Sequence, residues 1–182
     1  MSRRTTQVKK VSRRKPAAES SVKVEVSGAT GALAGRIREA AVATFGGEGR
    51  RNGRLEVAIV DDAEMRKLHR QWMGLGSTTD VLSFDLSDGG DDGVVDAQLV
   101  VCKPVAVRSA AEIGGDWRLE LLLYVVHGCL HLCGYDDVSA SKAARMHRRE
   151  DEILLELGHG AVFSQGEKVR RTRTVSGRKR KR

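Results

Sequence analysis

The stretch from Leu119 to Asp137 limits the fold of this chain more than any other. Leu119-Glu-Leu-Leu-Leu-Tyr-Val-Val-His127-Gly-Cys-Leu-His131-Leu132 is almost wholly apolar, with Gly128 its one turn-forming residue. It is too long for an ordinary strand and too short to span a bilayer, so it reads as a helix buried on all sides. A helix of that kind needs other elements packed around it, which calls for a domain with a real core. Gly134 stands where a C-cap glycine ends a helix and turns the chain. Asp136 and Asp137 follow at once and can fold back towards the helix end.

His127 and His131 are four residues apart, so they share one helix face one turn apart. Two imidazoles buried in an apolar helix with no common partner would be costly. A divalent ion is such a partner, since it takes imidazole nitrogens at about 2.0–2.1 Å from converging side chains. Asp136 or Asp137, just past the helix end, can supply a third ligand. Three protein ligands leave a position for water, as in catalytic rather than structural zinc sites. Such an ion lowers the pKa of its water and makes a nucleophile near neutral pH. The zinc-peptidase pattern needs a glutamate directly after the first histidine. Gly128 stands there, so that chemistry lacks its base.

The remaining pattern gives one α+β domain. Val22, Val24 and Val26 alternate with polar residues as a half-buried strand over 21–27. Leu33, Ile37, Ala40, Ala41 and Phe45 recur at helical spacing over 31–45. Glycines at 46, 47, 49 and 53 mark a loop, and Leu55–Val60 a second strand. Asp61-x-x-Glu64 reads as a capping box opening a helix to about Trp72, with Met65, Leu68 and Trp72 in the core and His69 exposed. Residues 80–84 and 94–101 read as strands joined by an exposed Asp/Gly loop. Asp91 and Asp92 lie in that loop and are read as solvated. Lys103-Pro104 opens a helix to about Glu112. Ser139 or Ser141 caps a last amphipathic helix ending near Gly158, with Met146, Ile153, Leu154 and Leu157 inward. His147 and Glu150, set among Arg145, Arg148 and Arg149, are read as solvent-facing rather than as ligands.

Charge is unevenly placed. The net formal charge is +8, yet seven Lys or Arg fall in residues 1–20 and nine in 166–182. The centre is mildly acidic, so the basicity belongs to two tails, read as disordered arms that bind phosphate without sequence preference. The reading is therefore a basic arm over 1–20, a domain over 21–160 and a basic tail over 161–182. Aromatics are 4% of the chain, which argues against base stacking as the main mode of nucleic-acid binding. Three cysteines without a paired pattern, and no secretory h-region, point to a reducing cytoplasm.

Two motifs resemble one family. His127-Gly-Cys-Leu-His131-Leu-Cys-Gly-Tyr-Asp136 is similar to the His-Gly-x-Leu-His-Leu-x-Gly-Tyr-Asp-His signature of the YbeY family of bacterial metal-dependent endoribonucleases. Thr79-Asp80-Val81-Leu82-Ser83-Phe84 matches a second signature of that family. The resemblance implies an α+β fold with a small mixed sheet of about four strands, about five helices, and the metal in a cleft at the end of the central apolar helix. It implies single-strand-specific cleavage of ribosomal RNA in maturation of the small-subunit 3′ end, and ribosome quality control. The implied catalytic set is His127, His131 and Asp136, with Asp136 hydrogen-bonding a ligand imidazole. The implied ion is Zn²⁺, and the implied partner is the small ribosomal subunit, with no membrane. Asp137 stands where the family has its final histidine, so the implied metal set is His127, His131 and Asp137. Two histidines and a carboxylate also suit Mn²⁺ or Fe²⁺. Met73 stands where the family carries an arginine after an aromatic residue, and Ala97-Gln98 where it carries a Gly-acidic pair. The alternatives are a non-catalytic ribosome-assembly factor with a structural metal, and a metallohydrolase acting on another substrate.

Overall fold

The computed structural model describes residues 21–87 and 93–160. The elements run β1 (Lys23–Ser27), α1 (Gly31–Gly47), β2 (Asn52–Val60), α2 (Asp62–Met73), β3 (Val81–Asp85), β4 (Val94–Cys102), α3 (Lys103–Ile113), α4 (Trp117–Leu132) and α5 (Ala140–Glu156). Their order is the expected one: an α+β fold of four strands and five helices. The sheet order is β1-β2-β4-β3. β1, β2 and β4 are mutually parallel, and β3 runs antiparallel to β4 at an edge.

The strands sort their side chains by face. Leu55, Val57, Val95, Ala97, Leu99 and Val101 point into the main core, shared with Ile37, Ala41 and Phe45 of α1 and with α4. Leu82, Val100 and Cys102 point the other way and meet Met65 of α2 in a smaller cluster. The end of β4 is thus buried on both faces, the usual state of a strand covered by helices on either side. α4 is buried from Glu120 to Val126 and again from Gly128 to Leu130, as its all-round apolar sequence requires.

Local signals explain the boundaries. The Asp61 carboxylate accepts from the backbone N–H of Ala63 and Glu64 and so caps α2. Asp116 caps α4 through Arg118 N–H, and Ser139 caps α5 through Lys142 N–H. α4 ends in a Schellman turn: Tyr135 N–H donates to Leu130 O and Gly134 N–H to His131 O, with Gly134 at φ 85°.

Several details differ from the sequence reading. β2 starts at Asn52, because Asn52 to Val60 pairs continuously with β4. Trp72 is 59% exposed rather than core, its ring set edge to face against Phe84 of the edge strand β3. His69 is buried rather than exposed, with its Nδ1 2.8 Å from the carbonyl of Ser77. Glu150 is 1% exposed rather than solvent-facing. Asp91, Asp92 and both basic tails lie outside the described residues. No helix among the described residues is long and apolar enough to cross a membrane.

Candidate metal centre

α4 carries His127 and His131 to the floor of a cleft of about 940 Å³. Thr79 to Ser83 and Met73 form one wall, and His147 and Glu150 of α5 help to close another. The helix sits close to the sheet because residue 128 has no side chain. A Cβ there would come 2.8 Å from Leu99 Cδ2 and 3.1 Å from both Ser83 Oγ and Val81 Cγ2. The Ser83 hydroxyl donates to Gly128 O at 3.3 Å across the same contact.

The two imidazoles meet through their Nε2 atoms, 3.0 Å apart, with ring planes at 85°. Each Nδ1 faces an acceptor. His127 Nδ1 lies 2.7 Å from Glu150 Oε1, and His131 Nδ1 lies 3.1 Å from the Tyr135 carbonyl. A carbonyl oxygen can only accept, and so can an ionised carboxylate. Both Nδ1 atoms therefore hold their protons, which leaves a lone pair on each Nε2 of the neutral rings. Two lone pairs 3.0 Å apart repel unless a proton or a metal cation lies between them. Asp137 brings negative charge to the same point, its Oδ2 3.9 Å from His127 Nε2. Ligand atoms of His127, His131 and Asp137 all lie within 4.8 Å of one another. Two nitrogens on one tetrahedral ion at about 2.0–2.1 Å stand roughly 3.3 Å apart, close to the observed spacing. The donor set thus fits one small divalent cation.

The structure also supplies what orients these groups. Glu150 bridges two histidines, since its Oε2 lies 2.9 Å from His147 Nδ1 while Oε1 holds His127. Burial acts to lower the pKa of His127, but the hydrogen bond and charge of Glu150 outweigh it, with smaller help from Asp80 and Asp137, and the net shift is upward. The Tyr135 carbonyl reaches His131 because the Schellman turn folds it back. That turn is braced from α1: Tyr135 Oη donates to Glu48 Oε2 at 3.0 Å, and Arg149 Nε donates to Glu48 Oε1 at 2.6 Å. Burial pushes the Cys133 thiol up to about 12, and Cys129 is fully buried, so neither competes as a thiolate ligand.

The contact expected of Asp136 is a different one. Its carboxylate accepts from Lys142 Nζ at 2.7 Å and from Val138 N–H at 2.9 Å, and the imidazole Nδ1 atoms are held by Glu150 and Tyr135 instead. Lys142 is the main cause of its lowered pKa. Asp136, through Lys142, therefore ties the loop that carries Asp137 to the first turn of α5. Glu150 and Tyr135 are the functional groups that the sequence reading missed. A spacing signal existed for Glu150, which stands four residues after core Met146 and four before core Leu154. The Tyr135 contact is made by backbone and leaves no trace in residue type.

A sequence model of the family described as Endoribonuclease YbeY matches residues 19–158. The chain belongs to the YbeY family. Among curated YbeY relatives, one from Moorella thermoacetica named Endoribonuclease YbeY is 37% identical over 132 residues, 68% of this chain and 83% of that protein. One of the same name from Halorhodospira halophila is 39% identical over 137 residues, 73% of this chain and 88% of the relative. A solution structure of a Thermotoga maritima protein superposes with a TM-score of 0.53 at 24% identity, covering 75% of this chain and 91% of that one. That likeness concerns the fold alone. The matched YbeY region takes in every residue of the candidate centre.

Proposed function

We propose that this chain is a metal-dependent endoribonuclease that cleaves single-stranded ribosomal RNA. Its proposed setting is maturation of the small-subunit RNA 3′ end and ribosome quality control. Membership of a family whose relatives are named endoribonuclease supports the reaction class. The observation that carries the metal dependence is the pair of Nε2 atoms 3.0 Å apart, each ring held by an acceptor at Nδ1.

His127, His131 and Asp137 would hold the ion, taken as Zn²⁺, with Mn²⁺ or Fe²⁺ open to a site of two imidazoles and a carboxylate. When bound, such an ion supplies Lewis acidity to a phosphoryl oxygen and an activated water. The protein's own share is positional. Glu150 holds His127 in the tautomer that ligates, and Tyr135 does the same for His131. Glu48 and Arg149 keep Tyr135 in place, and Asp136 with Lys142 keeps Asp137 in place. Between strand and helix the cleft is roomy enough for an RNA backbone, and the basic tails add phosphate attraction that weakens with salt.

The test is cleavage of a ribosomal RNA fragment carrying the small-subunit 3′ end, with the ends mapped. Wild-type protein should cut single-stranded RNA, lose activity with a chelator and regain it with zinc. His131→Ala should lose both metal and cleavage. Full metal content without cleavage would favour a non-catalytic assembly factor, and cleavage unaffected by chelator would overturn the metal dependence.

A further inference from the structure

The last turn of α2 carries an apolar surface that the core does not use. Trp72 is 59% exposed, Met73 62% and Leu75 53%. Large apolar side chains grouped on a surface mark a place where something binds. This group adjoins the cleft, because Met73 is itself part of the cleft wall. Trp72 is held rather than loose. Its ring meets Phe84 edge to face, with centroids 5.4 Å apart, and Phe84 follows the cleft-lining residues Val81 to Ser83 on β3. Beyond Trp72 the loop is also fixed, by the left-handed Gly74 cap and by His69 on the Ser77 carbonyl.

A rigid, exposed indole at the rim of a cleft for a phosphodiester is a platform of the kind that holds unpaired nucleobases. An indole is a poor partner for phosphate, yet every base offers it a π-face. We propose that Trp72 is a base-stacking subsite: it packs against one unpaired nucleobase of the RNA strand entering the cleft. The inference rests on the endoribonuclease reading above and adds to it a reason for single-strand preference, since a base inside a duplex has no free face to stack. A protein partner for the same patch would leave RNA binding indifferent to Trp72.

The test compares wild type, Trp72→Ala and Trp72→Phe as full chains. Two probes are used: a single-stranded RNA octamer and an abasic ribose-phosphate strand of equal length. Zinc affinity is measured alongside. Trp72→Ala should weaken octamer binding by roughly fivefold to one hundred and fiftyfold, the range found on removing one stacking aromatic. Trp72→Phe should recover most of it. The abasic strand should bind both variants and wild type alike, and zinc affinity should not change. Octamer binding by Trp72→Ala within twofold of wild type would overturn the inference and assign the patch to another partner. An equal loss on the abasic strand would overturn it too, by tracing the effect to phosphate contact or fold. Wild type that binds neither probe would overturn this inference and the endoribonuclease reading together, whereas a wild type that binds and cuts RNA keeps the two separable.

Discussion

Replacing Glu150 by glutamine alters one atom of a buried side chain and should disturb the metal centre more than any surface change. The carboxylate accepts from two imidazoles, at 2.7 Å from His127 Nδ1 and 2.9 Å from His147 Nδ1. A glutamine offers one acceptor and one donating amide. Whichever way it is turned, its NH₂ faces one Nδ1–H. If His127 receives the amide, its tautomer must switch and its Nε2 proton then blocks the ligand position. If His147 receives it, His127 keeps a weaker neutral acceptor. Loss of such an orienting partner lowers metal affinity by about 10- to 100-fold, or roughly 1.4–2.7 kcal/mol. Zinc affinity measured by competition with a chromophoric chelator should fall within that range in Glu150→Gln. His147→Ala, which spares the His127 bond, should fall less than threefold. Circular dichroism should report the same helix content in both. Wild-type zinc affinity in Glu150→Gln, with the fold intact, would refute the reasoning.

Three further outcomes follow from the geometry. Gly128→Ala should destabilise the apo-protein by about 1–2 kcal/mol in urea unfolding, because overpacking against Leu99 and Val81 exceeds the helix-propensity gain of about 0.5–1 kcal/mol. Glu48→Ala deprives Arg149, whose side chain is 10% exposed, of its closest partner while leaving Glu152 and Glu156. The cost should be about 2–3 kcal/mol, below that of orphaning a fully buried charge. Thermal unfolding should read this as a drop of roughly 5–10 °C, and zinc affinity should weaken as Tyr135 loses its brace. The pH dependence has two opposite signs. The folded-state pKa of His127 is raised above the ordinary 6.5, so its contribution to apo stability is complete below that value and is lost as pH rises through the raised one. Zinc competes with that proton, so zinc affinity should fall as pH drops through the same range, and titrations from acid to neutral pH would measure both trends.

How much of this was legible in the sequence depends on what each residue answers to. α4 and the meeting of its two histidines were readable because burial and the sharing of a face both follow the helical period, and Gly134 because a left-handed cap admits little else. Strand and helix order followed from alternation and caps. Glu150 was misread because composition outweighed spacing. Three arginines surround it, yet Met146, Glu150, Ile153 and Leu154 share one helix face, and a buried carboxylate there has two imidazoles to satisfy it. The same spacing, four residues after core Met65, marked His69 as buried. Trp72 was misread in the opposite direction. Its helical phase is right for the core, but it lands on Phe84 of the edge strand β3, and pattern carries no information on which strand lies at an edge. The brace from Glu48 to Tyr135 spans 87 residues and arises only on folding.

The proposed function requires one ion held by two imidazoles and a carboxylate. The direct measurement is element analysis of the dialysed full chain beside a His127→Ala, His131→Ala double variant, each first loaded with zinc. One zinc per wild-type chain and none in the double variant is the predicted result. Equal zinc in both proteins, or none in a well-folded wild type, would contradict it.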